Sequence, residues 1–520
     1  MKPRGLIHSA GAFSAMTLLS RITGFARDML QAHLFGAGAL VDAYTVAYQV
    51  PNYLRRIFAE GSFASAFVPV LSELQQKGDK VALRSFVDHV AGALCAVLLL
   101  ITGLGMLCAP WIATALAPGF AEEPGKLALT GDMLRIVFPY LFFISMTAFA
   151  GGIFNTHRRF ALPALMPVLH NLTVIAAMVW LTAYLEPPIM ALAWGVLAAG
   201  AVQMLVLWPK LRRFGLFPRL RLDFAHAGVR KVARLMGPTL FSASVAQLNL
   251  VVGTIAASLL VEGSRAYLYY SDRMVELPLG LFGVALGTVI LPHLSRRHAD
   301  TDTVGFSRSL DWGLRTVLLL ALPAAAGLFS LAEPLAATIF QRGQFDAHAS
   351  AMVALSLSAL CPAIPAFMLT KVLNPAFYSR QDTRTPMRAA IITVAVNIGL
   401  MALIVTPLWK YEVVGAHAGI ALATALAGIT NTTLLWRYLR RDRLWQPEPG
   451  WGRALMRIGL AVAAMVLVLI LLRQGPWPWQ DLHGVVRWAW LFGTILTGAL
   501  TYLGVLLLLG WRPQELRHST

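Results

Sequence analysis

The chain has 520 residues, of which 57% are hydrophobic and 13% are charged, and its mean hydropathy is +0.65. Soluble domains usually carry about 25% charged residues, so this composition excludes a soluble protein and indicates an all-α polytopic membrane protein. The formal charge of +18 would suit a nucleic-acid partner, but the positions of the basic residues, given below, exclude that interpretation.

Apolar stretches of about 20 residues, the length that crosses a bilayer, recur along the whole chain. The first starts at Leu6 and its apolar pattern continues through "LLSRITGFARDML" (18–30) with no convincing small-x-small cleavage site, so we interpret it as a span and not as a signal peptide. The pattern predicts fourteen transmembrane helices, at 6–34, 40–73, 86–114, 129–154, 160–184, 188–209, 235–261, 265–294, 309–340, 350–377, 386–407, 413–439, 454–474 and 485–510.

Basic residues are concentrated in alternate loops between these spans. With the N-terminus in the cytoplasm, the cytoplasmic loops hold most of the lysines and arginines, above all the loop at 210–234. This asymmetry is the one expected from the positive-inside rule. We therefore attribute most of the excess charge to topology, and we predict that both termini are cytoplasmic.

A repeat relates two halves of the chain. "FNTHRRFALP" (154–163) and "FYSRQDTRTP" (377–386) are separated by 223 residues, and at the same offset Pro139 matches Pro362. Each half holds six predicted spans, an even number, so the two lobes are parallel, as in transporters that bind substrate between two repeats. The predicted domains are an N-lobe at 1–225 (spans one to six), a C-lobe at 226–445 (spans seven to twelve) and two further spans at 446–520.

Charged residues occur inside three of these spans, although each costs about 2.5–3.5 kcal/mol at a bilayer centre. Arg21 and Asp28 share one helix face because seven residues are nearly two turns. Arginines suit an anionic substrate, since their planar forks bind phosphate bidentately, whereas some of the acids serve equally well as internal salt bridges that fix helix register. The candidate substrate-binding residues are Arg21, Arg27, Asp28, Asp42, Arg55, Arg56, Glu60, Asp272, Arg273 and Glu276.

The sequence contains no phosphate-binding loop, zinc-protease motif or nucleophile elbow. We therefore predict a secondary-type transporter and not an enzyme, with no cofactor, driven by an ion gradient, the membrane potential or the substrate gradient. Pro51 and Pro278 lie inside charged spans and predict kinked helices that take part in motion.

Four long motifs resemble the MurJ (MviN) lipid II flippases of the MOP superfamily. They are "SRITGFARDML" (20–30), "FGAGALVDAYTVAYQVPNYLRRIFAEGSFASAFVPV" (35–70), "YYSDRMVELPLGLFGVALGTVILPHLS" (269–295) and "PAFYSRQDTRTP" (375–386). The resemblance covers almost the whole chain. It implies two MATE-like lobes with a cationic cavity, and a groove for the lipid tail formed by the last two helices.

The resemblance also implies export of lipid II, the undecaprenyl-diphosphate-linked peptidoglycan precursor, across the bacterial inner membrane. The expected partners are lipid II, membrane lipids, and the cell-wall synthesis and division machinery. The family's functional residues match all ten candidates given above. Some members have a sodium site, for which this sequence offers no matching set of ligands, so the membrane potential is the expected driving force.

Three other functions remain to be compared with this one. A flippase for another polyprenyl-linked oligosaccharide would need the same cationic site. A non-transporting cell-wall scaffold would not need buried arginines. An exporter of cationic drugs would need carboxylates in place of the arginines, so the sign of the charge argues against it.

Overall fold

The computed structural model describes residues 3–56, 63–474, Trp479 and 482–512, and within these ranges the chain is helical with no β-strand. The predicted all-α membrane class is therefore confirmed. The chain divides into two compact units, residues 1–266 and 267–520.

Among the residues that the structure describes, the first unit contains ten complete α-helices and the first residues of an eleventh. Their bounds are α1 Pro3–Phe35, α2 Ala39–Arg55, α3 Phe63–Lys77, α4 Lys80–Leu107, α5 Ala109–Leu116, α6 Pro124–Val137, α7 Tyr140–Thr156, α8 Ala161–Leu181, α9 Met190–Leu207, α10 Ala227–Ser258 and α11 Ser264–Pro278.

The second unit continues α11 through a π-helical turn, Leu279–Gly283, directly into α12. Its remaining helices are α12 Val284–Ala299, α13 Thr303–Ser330, α14 Ala332–Phe340, α15 Ala347–Leu360, α16 Ile364–Tyr378, α17 Arg384–Lys410, α18 His417–Arg441, α19 Trp451–Arg473 and α20 Gly484–Leu508.

The predicted repeat is visible in the helix bounds. α4 and α13 begin at Lys80 and Thr303 and both last 28 residues, and α6 and α15 both last 14 residues. Every helix from α1 to α9 has its counterpart, in order, from α10 to α18. Even a cap is repeated, since Asp79 and Asp302 accept backbone N–H bonds at the start of α4 and α13.

Several predicted spans are broken where hydropathy suggested one continuous helix. The run at 129–154 is divided at Pro139 into α6 and α7, and the run at 86–114 is divided between Leu107 and Ala109 into α4 and α5. Ten described helical segments are long and apolar enough to cross a membrane, so the count of fourteen is not confirmed. The four predicted spans that do not meet this criterion of length and hydropathy correspond to α1, α2–α3, α10 and α11–α12.

Each unit has its own apolar core. In the first, stacked rings of Phe63, Phe67 and Phe86 join α3 to α4, and Phe149 of α7 packs on the same cluster. In the second, α19 and α20 pack on α13, where the Tyr502 hydroxyl donates to the Leu319 carbonyl at 2.7 Å. The two helices outside the repeat are thus held by apolar contacts and by hydrogen bonds, which include that of Tyr502 and one from the Trp451 indole to Asp311.

Candidate functional site

Asn171 of α8 joins the charged stretch of α1 to the rest of the first unit. Its side-chain amide donates to the Ser20 carbonyl at 3.0 Å and to the Thr23 hydroxyl at 3.2 Å, and its oxygen accepts from Arg27 at 3.2 Å. Gly24 permits this approach, because a Cβ there would lie 3.3 Å from the amide nitrogen. A single buried amide therefore fixes the rotation of α1 about its axis.

Arg27 forms an ion pair with its neighbour in sequence. Its Nε and Nη2 both donate to one carboxylate oxygen of Asp28, at 3.1 and 2.7 Å, and the two side chains are 13% and 5% exposed. This pair, together with Asn171, holds the guanidinium in one orientation. The charge of Arg27 is thus partly balanced inside the unit.

Arg21 lies nearly two turns before this pair on the same helix. It is half-buried, and among the residues described no hydrogen bond or ion pair of its guanidinium is found. An arginine without an internal acid in an apolar helix needs water or an anionic ligand. Arg21 is therefore the member of the set best placed to take a substrate anion.

Two more arginines end α2. Arg55 donates to the Asn52 side chain through Nε and Nη2, at 3.0 and 2.9 Å, and Arg56 is half-buried. The charges of Arg27 and Arg55 both act on the buried ring of His170, which is tilted against the Tyr140 ring with centroids 5.5 Å apart. A cation of α1 and a cation of α2 thus influence the same residue of α8.

Asp42 has a different environment from the arginines. Its two oxygens accept the backbone N–H groups of Ala266 and Gly263 at 2.9 and 2.8 Å, and Lys126 of α6 lies 3.3 Å from Oδ2. All of these partners lie in the first unit, and both side chains of the ion pair are buried. A buried charge with this many partners holds α2, α6 and the start of α11 together.

The acids and arginine predicted on α11 lie in the second unit. Arg273 pairs with Glu276 at 2.8 Å and lies over the Tyr269 ring, with its centroid 4.9 Å away, and both Asp272 and Glu276 are exposed. Glu276 is therefore one of the acids that form an internal salt bridge, with Arg273 three residues before it. Glu60, the remaining candidate, lies outside the described residues.

The sequence did not indicate Asn171, His170 or Lys126 as parts of the site. Asn171 and His170 are polar residues in an otherwise apolar span, and that contrast was the only available signal. Lys126 was assigned to a loop, and nothing in its local pattern identifies Asp42 as a partner. Within the described part of the chain, no group of His, Cys, Asp and Glu side chains is arranged to hold a metal ion.

Comparison with known proteins decides the family. The family model described as "Lipid II flippase MurJ" matches residues 31–481. A lipid II flippase MurJ of Burkholderia cenocepacia is 39% identical over 512 residues, which cover 97% of this chain and 98% of the relative. The chain belongs to the MurJ family. A probable lipid II flippase MurJ of Vibrio cholerae is also 39% identical, over 99% of this chain and 98% of its own length.

Solved structures agree with this assignment to MurJ. A lipid II flippase MurJ in an inward closed conformation is similar with a TM-score of 0.78 and 27% identity, covering 95% of this chain and 97% of that one. An inward-facing multidrug resistance MATE transporter of the MOP superfamily matches with a TM-score of 0.64 at 12% identity, over 84% of this chain and 98% of its own. The second likeness shows the fold alone, and it confirms the predicted MATE-like lobes. As a member of this family, the chain is a multi-pass inner-membrane transport protein.

Proposed function

We infer that this protein moves lipid II from the inner to the outer leaflet of the cytoplasmic membrane. The observation that carries this proposal is Arg21, half-buried on an apolar helix beside the Arg27–Asp28 pair and without an internal acid among the described residues. A diphosphate is a compact double anion that such arginines recognise through charge-assisted hydrogen bonds. Membership of the MurJ family supports lipid II as the molecule that carries this diphosphate.

The proposed mechanism is alternating access by two lobes, 1–225 and 226–445. Arg21 and Arg55 would bind the diphosphate, and Asp28 and Asn171 would keep Arg27 oriented toward it. Bending of the helices would be absorbed at Pro51 and at the Pro278 and Leu279–Gly283 turn, because proline and π-helical turns interrupt the helical hydrogen-bond ladder. The polyprenyl tail would stay in lipid along α19 and α20, in the segment 446–520.

The energy for transport would come from the membrane potential, without an ATPase in the same chain and without a cofactor. A potential supplies about 2.3 kcal/mol per charge per 100 mV, enough to bias a two-state equilibrium. Coupling to sodium is a further candidate for the driving force. In this proposal, the lipid II released at the outer leaflet would pass to cell-wall synthesis and division enzymes.

The leaflet distribution of lipid II in cells depleted of this protein tests the proposal. Wild type should restore export, and Arg21→Gln should lower it about tenfold or more, the loss expected for a hydrogen bond to a charged group. Arg21 is preferable to Arg27 for this test, because truncating Arg27 would leave Asp28 buried without its ion-pair partner and could unfold the protein. Arg135→Gln is the matched control, since that arginine is exposed and pairs only with Asp132 at 3.3 Å.

Two results would contradict the proposal. Full rescue by Arg21→Gln would show that the buried arginine is not needed for transport, as expected of a non-transporting scaffold. An unchanged lipid II distribution on depletion, with another polyprenyl-linked saccharide accumulating inside, would identify a different substrate.

A further inference from the structure

A second basic site lies in the first unit, apart from the arginines of α1 and α2. It is a cavity of about 820 Å³ between the start of α4, the end of α7 and the segment 214–221. The residues that supply its charge are Lys80, Arg84, Arg219 and Arg221, and none of them belongs to the candidate transport site. The loops that form the cavity are all predicted to face the cytoplasm.

The backbone that carries Arg219 and Arg221 is fixed against α4. The buried carboxylate of Asp88 accepts the Arg219 N–H at 2.8 Å, and the Asp88 carbonyl accepts the Arg221 N–H at 3.3 Å. One turn later, Gly92 leaves room for this segment, since a Cβ there would lie 2.2 Å from the Arg221 carbonyl oxygen. The two arginines are thus placed beside Arg84 by specific contacts of the main chain.

The acids in the cavity are already engaged. Asp79 accepts the N–H groups of Val81 and Ala82 as the cap of α4, at 3.0 and 2.9 Å, and Asp88 is bound as just described. Within the described part of the chain, none of the four cationic side chains has an acidic partner. Four cations around one cavity, with both lining acids bound to backbone N–H groups, form a site for an anion.

The apolar part of the lining limits which anion fits. Leu74, Phe214 and Leu216 line the cavity together with Val81, which is 81% exposed. The volume is typical of sites for small organic molecules and far exceeds one inorganic phosphate. We propose that this cavity binds a phosphate ester that carries an apolar group, either the headgroup region of an anionic phospholipid or a soluble organic phosphate.

Binding to the purified full-length protein tests this site. The probes are dioleoyl-phosphatidylglycerol in mixed micelles, with dioleoyl-phosphatidylcholine as the zwitterionic comparison, and ADP as the soluble phosphate ester. Native mass spectrometry measures how much of each probe stays bound to the protein. The rise of the thermal unfolding midpoint measures how far each probe protects the protein against unfolding. Protection by the anionic lipid alone identifies a headgroup site, whereas protection by ADP identifies a site for a soluble phosphate.

The decisive comparison is between two double variants with the same change of charge. Arg84→Gln with Arg219→Gln removes two cations that line the cavity, and it should weaken binding about tenfold or more, because hydrogen bonds to charged groups are lost. Arg213→Gln with Arg230→Gln removes two exposed cations outside the cavity, one just before the segment 214–221 and one in the first turn of α10, and it should change affinity less than about twofold.

Equal weakening by both variants would show diffuse attraction and would overturn the proposal. The proposal would also be overturned if neither phosphatidylglycerol nor ADP bound in a way that the cavity double variant weakens. The unliganded unfolding midpoint of each variant should equal that of the wild type, because both arginines of the cavity pair are exposed and the hydrogen bonds from Asp88 go to backbone N–H groups, which the substitutions keep. Since the assay measures binding alone, its outcome is independent of whether lipid II is transported.

Discussion

Asn171 has more influence on the candidate site than its single uncharged side chain suggests. Its buried amide donates hydrogen bonds to Ser20 and Thr23 and accepts one from Arg27. The same amide positions α1 and orients the Arg27 guanidinium. Its removal should therefore lower both local stability and transport.

Asn171→Leu keeps the volume of the side chain and removes all three hydrogen bonds. We expect a loss of stability of about 1–3 kcal/mol, because buried partners are left unsatisfied, together with a clear fall in lipid II export. Thermal unfolding in detergent and the leaflet distribution measure the two effects. Thr173→Val on the same helix is the control, since the Thr173 hydroxyl bonds only within its own helix, to Leu169. Unchanged export by Asn171→Leu would show that Arg27 needs no support from α8.

The contacts of single residues were the part that sequence could not predict. The spacing of Arg21 and Asp28 correctly placed them on one side of α1, because helical periodicity is a local property. Which helix that face meets depends on tertiary packing, so neither Asn171 nor the pairing of Lys126 with Asp42 could be read from the pattern. Gly24 was a weak signal, because a small residue indicates that another helix can pack closely there but does not indicate which one.

At the scale of helices, the repeat predicted more than hydropathy did. An offset found in a few short motifs turned out to align nine helices with nine others, including the caps at Asp79 and Asp302. Hydropathy alone joined α4 to α5 and α13 to α14, because the residues across each break are as apolar as those of the helices. Pro110 and Pro334, in the first turn of α5 and near the start of α14, were the available signals for these breaks.

The start of α10 contains a pH-sensitive cap. The Nδ1 of His226 accepts the Gly228 N–H at 3.1 Å, and its ring stacks on His89 with centroids 4.3 Å apart. Burial, and then the charge of His89, lower the pKa of His226 below its ordinary value. Protonation would remove the acceptor and place a positive charge at a helix N-terminus, where the dipole disfavours it.

Acid should therefore weaken this end of α10. With the folded pKa of His226 below the unfolded value of about 6.5, the unfolded chain binds more protons and stability falls as the pH drops below that value. His226→Asn keeps a good cap and cannot titrate. Between about pH 7.5 and about pH 5.5, the wild-type unfolding midpoint should fall by about 1–2 °C more than that of the variant, a small difference because the ring is only partly buried. Parallel curves for the two proteins would show that His226 does not titrate in this range.

At the scale of the molecule, segments predicted to share a side of the membrane lie together. In the first unit, one cavity is formed by the α3–α4 turn, His157 and the segment 214–221, all from loops predicted to be cytoplasmic. The opposite loops meet at Asp42, where Gly263 and Lys126 bind its carboxylate. In the second unit, Asp311 near the start of α13 accepts from the indoles of Trp445 and Trp451, in the connection before α19 and at its first residue.

This sorting agrees with loops that alternate between two sides of the membrane, and the positive-inside rule predicts which side is cytoplasmic. Alkaline phosphatase, which is active only outside the cytoplasm, should therefore be inactive when fused after Trp511 or within 442–450, and active when fused within 342–346 or at 184–188. The positive-inside rule gives the physical reason, since basic segments such as 210–234 resist translocation. A fusion protein that is active at both 342–346 and 442–450 would contradict it, because α15 to α18 would then cross the membrane an even number of times, whereas three crossings are predicted between these two segments.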